Sequence, residues 1–138
     1  MENKIRDMYN ITFSVADIPS GDRSILHEWY SSVIEKTYDQ LNVADVTRML
    51  IQKMFLDLAV PKAIELMEEN PFCGQRYDGE LLELLFNLDA NYLEAYKYEV
   101  KKVLSETLDR IDSHEWWYQG EQDEFLELIK SFQRKLQL

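Results

Sequence analysis

Cysteine, histidine, glycine and proline are all scarce in this 138-residue chain, and so is positive charge. One cysteine, Cys73, cannot close an internal disulfide, so nothing in the chain calls for an oxidising compartment. Two histidines and that cysteine are too few for a structural zinc site. Four glycines and three prolines limit the number of tight turns and argue against a many-stranded fold. No apolar run approaches the roughly 18–20 residues that a membrane-crossing helix needs. The opening MENKIRDMYNITF has no uninterrupted apolar segment, so a secretory signal is not expected, and the chain reads as a soluble cytoplasmic protein. Fifteen Lys and Arg face 26 Asp and Glu, a net charge of −11. That balance argues against a nucleic-acid binder, because phosphate affinity comes from clustered cations.

What the chain does have is apolar material and unevenly placed acid. Apolar residues make up 46% and aromatics 12%, enough for a folded chain despite the charge. With no internal repeat or linker, residues 1–138 read as one domain. Residues 106–127 carry eight carboxylates against the single Arg110, and residues 57–94 carry nine against Lys62 and Arg76. Each stretch is −7, while the rest of the chain is close to neutral or basic. Clustered like charges repel one another, but they focus a field that speeds encounter with a basic partner. The alternative is an acidic surface that is merely solvated.

Helical spacing dominates the apolar pattern. Tyr9, Ile11, Phe13 and Val15 alternate like a short strand, although Ile5, Met8 and Tyr9 fit a helix start equally well. Leu26, Trp29, Tyr30, Val33, Ile34 and Tyr38 predict a helix over 22–40, capped by Ser20 or Asp22. Asn42 caps the next, which runs toward Glu69 as two helices or as one kinked at Pro61, where a first-turn proline would sit. Pro71 closes it. Asp78 is expected to cap a short, nearly all-apolar helix to Leu88, and Asp89 to open a long one to Ile111. After a break at Gly120 a last helix starts near Glu121, acidic first and basic last, as the macrodipole favours. The expectation is an all-α, compact helical bundle of about five to six helices, with a short N-terminal strand or helix.

Few motifs carry chemistry. His27-Glu28 and His114-Glu115 begin like a zinc-protease helix, but Ser31 and Tyr118 stand where the second histidine is required. Cys73 has no evident base, and there is no Gly-rich phosphate loop. Glu80-x-x-Glu83 and Glu106-x-x-Asp109, 22 residues apart, resemble the magnesium-binding signature of all-α nucleoside-triphosphate pyrophosphohydrolases. Pairs at i and i+3 share a helix face, so two helices can converge four carboxylates on Mg²⁺. In so acidic a chain such spacings also arise by chance, as Glu65 and Glu68 illustrate. Trp116-Trp117-Tyr118 is a different signal. On a helix these rings would point about 100° apart, so one core cannot hold all three. At least one is expected near the surface, amid acids, as in interface hot spots.

The middle of the chain carries a resemblance. Asp45-x-x-Arg48, the Pro61-x-Ala63-Ile64 helix start, the Asn70-Pro71-Phe72 turn and the run Tyr77-Asp78-Gly79-Glu80-Leu81-Leu82 resemble the central block of small all-α immunity proteins of bacterial contact-dependent growth-inhibition systems. The resemblance covers about residues 41–85. It implies an antidote that binds the C-terminal domain of a cognate toxin, often a nuclease, in the cytoplasm. Family members meet different toxins through different surfaces, so no residue roles carry over with it.

The charge pattern and the resemblance lead to one expectation: a binding protein without catalysis, cofactor or metal, neutralising a basic toxin, with no direct nucleic-acid or membrane contact. The expected contact surface includes Asp109, Asp112, Glu115, Trp116 and Trp117, continues through Glu121, Asp123 and Glu124, and has Asp78, Glu80 and Glu83 as a secondary patch. The competing readings are the magnesium-dependent pyrophosphohydrolase and a helical adaptor without a toxin.

Overall fold

Regular structure is helical throughout residues 3–138, which the computed structural model describes. Seven α-helices follow in order: α1 (Ile5–Met8), α2 (Ile25–Val33), α3 (Val43–Gln52), α4 (Leu56–Glu69), α5 (Glu80–Phe86), α6 (Lys97–Arg110) and α7 (Gln119–Leu136). Single 3-10 turns fill several connections. Among the described residues the only strand-like feature is an isolated antiparallel bridge between Lys4 and Thr37. The all-α expectation holds, and the N-terminal ambiguity resolves to a helix. Ile5 of α1 is fully buried, and the Ile5 and Arg6 amides donate to the Lys36 and Ile34 carbonyls, 2.9 Å each.

Reciprocal caps start two of the helices. The Ser24 hydroxyl accepts from the His27 amide while His27 Nδ1 accepts from the Ser24 amide, both at 3.1 Å. Asn42 and Asp45 do the same for α3, at 2.9 and 3.3 Å. This satisfies amide groups that a bare helix end leaves without partners. Asp45 also pairs with Lys36 at 2.5 Å and accepts from Trp29 Nε1 at 3.3 Å. The aspartate of the Asp-x-x-Arg pattern is therefore a buried fastener between α2, the turn after it and α3.

Local expectations fail where the backbone does something unusual. Residues 43–69 form two helices, and the break falls at Lys53 and Phe55, both left-handed (φ 54° and 51°), rather than at Pro61. Pro61 lies inside α4, beyond its first turn. Left-handed non-glycine residues cost on the order of 1–2 kcal/mol each. Here the Phe55 ring offsets that cost by packing on Tyr9 and Tyr30, with centroids 4.9 and 6.1 Å away. The helix expected over 22–40 ends at Val33. Asp89 caps only a 3-10 turn, donating nothing and accepting from the Asn91 amide, and the long helix begins at Lys97. Gly120 lies within the first turn of α7 instead of breaking the chain.

The helices share one apolar core. α3 packs on α4 and α5, and α6 packs on α4 and α7. Leu81, Leu82 and Leu85 of α5 are buried together with Met49, Met67, Leu104, Ile129 and Phe132, so the short helix is central, as its composition predicts. Full burial of each such side chain contributes about 1.5–3 kcal/mol. This arrangement sets the turn before α5 against the loop that leads into α7.

Candidate functional site

The loop 114–118 carries the consecutive aromatics, and it is not helical as expected. Its residues follow a 3-10 turn (Ile111–Ser113), and Tyr118 is extended (φ −159°, ψ 161°) where it caps α7. The inference of an exposed ring still holds, although the segment bends at Trp117 and Tyr118 instead of continuing a helix. Trp116 faces inward, its Nε1 donating to the Ile111 carbonyl at 3.0 Å, while Trp117 is 89% exposed. Trp116 meets Phe72 edge-on at 5.5 Å and Phe125 at 5.3 Å, and the His114 ring stacks on Phe72 at 4.0 Å. His114 Nε2 in turn lies 2.9 Å from Asp78 Oδ2.

Gly79 makes the opposing wall possible. It adopts φ +83°, and a Cβ there would overlap the Phe125 ring. Asp78 therefore does not cap α5 as expected; Gly79 occupies that position, with no side-chain cap, and Asp78 turns to His114. Between the 77–79 turn, Glu83 of α5 and the start of α7 lies an open groove of about 220 Å³. Asp78, Glu83, Glu121 and Glu124 line it together with Tyr77, Trp116, Tyr118, Phe125 and Leu128, and no Lys or Arg does. The two acidic stretches, far apart in sequence, thus meet at one place.

The carboxylates of this groove are only partly satisfied. Glu83 accepts from the Tyr77 hydroxyl at 2.9 Å. Burial, and then that hydrogen bond and the charge of Glu83, push the Tyr77 phenol up to about 12, so it remains a donor at neutral pH. Glu121 is half-buried, and its Oε1 is shielded from solvent with no hydrogen-bond partner. Glu124 is exposed and joins no ion pair among the described residues. A buried acceptor without a donor is costly, and the exposed Glu124 carboxylate beside it is open to an incoming cation.

The remaining expected contact residues divide. Glu80 is a correction: it is fully buried and does not present to a partner. Its Oε1 accepts from the Gln75 and Arg76 amides, 2.9 Å each, and its Oε2 pairs with Arg76 Nε at 2.5 Å. It folds the loop before α5 back onto the helix. Asp109, Asp112, Glu115, Trp117 and Asp123 are all exposed, but none lines the groove. Asp112 accepts from Gln122 at 2.9 Å and Asp123 from Gln119 at 3.1 Å. The four carboxylates of the magnesium pattern do not converge: no group of three or more His, Cys, Asp or Glu suited to a metal occurs among the described residues. Glu80 is committed to Arg76, and Glu106 and Asp109 are exposed on α6. Cys73 is half-buried, and burial pushes its thiol up to about 11, away from nucleophilic use. No helix among the described residues is long and apolar enough to cross a membrane.

Sequence reasoning missed Tyr77, Phe125 and Leu128 as lining residues, and His114 as the link between the walls. Phe125 and Leu128 carry the same spacing signal as any core position, and nothing local ties His114 to Asp78.

Comparison with known families matches residues 8–103 to a family described as CDI immunity proteins. The matched span contains the 77–79 turn and Glu83 and ends within α6, so the loop with Trp116 and all of α7 lie beyond it. Comparison with curated proteins gives no match.

Proposed function

The chain belongs to the family of CDI immunity proteins, and from that membership we propose that it binds its cognate toxin domain through the groove between the 77–79 turn and α7. The toxin in this reading is a basic nuclease, and the complex forms in the cytoplasm. Residues 1–138 act as one binding domain and do no chemistry.

A single observation carries the choice of surface. Four carboxylates surround an aromatic-floored groove without a cation, and one of their oxygens, Glu121 Oε1, is buried without a donor. A Lys or Arg from a partner can pair with the exposed carboxylates of the groove, Asp78 and Glu124. A nuclease must be basic where it holds its substrate, so an acidic groove can occupy the same cations in place of phosphate. The exposed acids outside the groove, Asp109, Asp112, Glu115 and Asp123, extend the field that steers encounter. Trp117 stands at the edge of the face as an unburied ring of the kind that anchors interfaces.

The test uses the cognate toxin domain. Its degradation of RNA and DNA is measured with and without one equivalent of this protein, then with a Glu121→Lys/Glu124→Lys variant. Wild type is expected to abolish degradation and the variant to restore it. Full protection by a correctly folded variant would show that the groove is not the site. Toxicity without cleavage of either nucleic acid would remove the nuclease from the reading.

A further inference from the structure

The loop before α5 has a second side. Arg76 and Tyr77 are consecutive, yet Tyr77 lines the acidic groove and Arg76 lines another pocket, of about 240 Å³, shared with α2 and α3. Trp29, Ala44, Thr47, Arg48, Ile51 and Gln75 complete it, and no carboxylate lines it. In a chain with 26 acids this is an unusual place to find two arginines together.

Both arginines have binding capacity to spare. Arg48 joins no ion pair among the described residues, and its guanidinium lies 5.8 Å from the centroid of the Trp29 ring. The ring is itself held by the Nε1 hydrogen bond to Asp45. Arg76 meets Glu80 through Nε, so its two terminal nitrogens have no partner among the described residues, and its side chain is 60% exposed. Thr47, only 3% exposed, carries a hydroxyl with no hydrogen-bond partner. Guanidinium forks bind planar oxyanions in bidentate fashion, and a ring that orients the fork lowers the entropy lost on binding. The pocket is therefore built to accept an anionic group.

We propose that this pocket receives an Asp or Glu side chain of the toxin domain, and that the pairing sets the orientation in which the toxin docks. The inference rests on the immunity reading above. A polyanion is disfavoured as occupant, because the acidic groove begins one residue away and the whole chain is −11. A single carboxylate on an otherwise basic protein surface meets no such repulsion. A partner laid across the 74–79 loop meets a negative groove on one side and a positive pocket on the other, so a reversed orientation places like charges together. Steering by the groove alone has no such directional check.

The sign of one substitution distinguishes this contact from general electrostatics. Arg48→Glu makes the chain more acidic, so long-range attraction to a basic toxin predicts unchanged or faster association. Loss of a specific carboxylate contact predicts dissociation at least tenfold faster. Binding kinetics are measured with the catalytically inactivated cognate toxin domain. Arg48→Met, which keeps the packing on Trp29, is expected to dissociate several-fold faster, and circular dichroism checks the fold of both variants. Reversing the right Asp or Glu of the toxin to Lys is expected to restore binding to Arg48→Glu. Unchanged dissociation in Arg48→Met, with tight wild-type binding, overturns the pocket and leaves the immunity reading intact. Absence of wild-type binding overturns both.

Discussion

His114 Nε2 and Asp78 Oδ2 lie 2.9 Å apart across 36 residues of sequence, and this contact joins the two walls of the acidic groove. With the imidazole stacked on Phe72, it positions Trp116 and the start of α7 against the turn before α5. His114→Ala should cost about 1–2 kcal/mol of stability, the scale of one lost hydrogen bond with some packing. It should also weaken toxin binding while Trp117 keeps its exposure, as read by thermal melts and binding isotherms on the same preparation.

Glu80 serves the fold. Glu80→Ala leaves two backbone amides and the exposed Arg76 Nε without their acceptor, and denaturant melts should show a loss of about 1–3 kcal/mol. A metal-binding role predicts something else: Glu80→Gln would abolish nucleoside-triphosphate hydrolysis in Mg²⁺. We expect no such hydrolysis by the wild type, and turnover sensitive to Glu80→Gln or Asp109→Asn would reinstate the enzyme.

Adjacent tryptophans should behave as opposites. Trp116→Ala removes a ring packed on Phe72 and Phe125 and should destabilise the protein by roughly 2–4 kcal/mol. Trp117→Ala, at an 89% exposed position, should leave the melting temperature within experimental error. If Trp117 anchors the toxin, the same change speeds dissociation by an amount on the order of 2 kcal/mol. Equal melting shifts for the two variants would contradict the inward and outward assignment.

Charge reversals at Glu124 and Asp123 separate steering from contact. Both residues sit on α7 within one turn, but only Glu124 lines the groove. Either reversal to Lys should slow association and reduce its salt dependence, because the Debye length falls from about 10 Å at 0.1 M salt to about 3 Å at 1 M. Only Glu124→Lys should also raise the dissociation rate. Dissociation that responds equally to both would place the contact outside the groove.

Alkaline pH should act through Cys73. Burial raises its thiol from the ordinary 9.0 to about 11, so the native state favours the neutral form. That contribution to stability is fully present below pH 9 and is lost as pH rises toward 11. Cys73→Ala should flatten this part of the stability profile. At pH 8 the native thiol should alkylate about a hundredfold more slowly than in urea, in proportion to its thiolate fraction.

Much of the fold is legible in the residues themselves. Helical spacing of apolar side chains, scarce glycine and proline, and the cap at Asn42 specify an all-α chain, because these signals act within one or two turns, whereas the cap of α2 lies at Ser24 and not at the expected Ser20 or Asp22. Boundaries were less legible. The break at Lys53 and Phe55 uses left-handed residues that no local preference supports, and it is stabilised by Tyr9 and Tyr30, distant in sequence. Asp78 has the composition of a cap and is used otherwise, because Gly79 at φ +83° turns the chain and His114 is there to receive it.

For the candidate site, sequence by itself determined the charge, its two clusters, the exposed aromatic and the immunity-like central block. Those properties are sums over residues or patterns within short segments. Only the tertiary structure decided that Glu80 is an internal fastener while Glu83 faces the groove, although the two share a helix face on paper. Only packing brought residues 77–83 against 116–128, and only packing gave Arg76 and Tyr77 to different pockets. Charge is additive along a chain, whereas a site depends on which charges are brought together and which are buried, and the core contacts settle that.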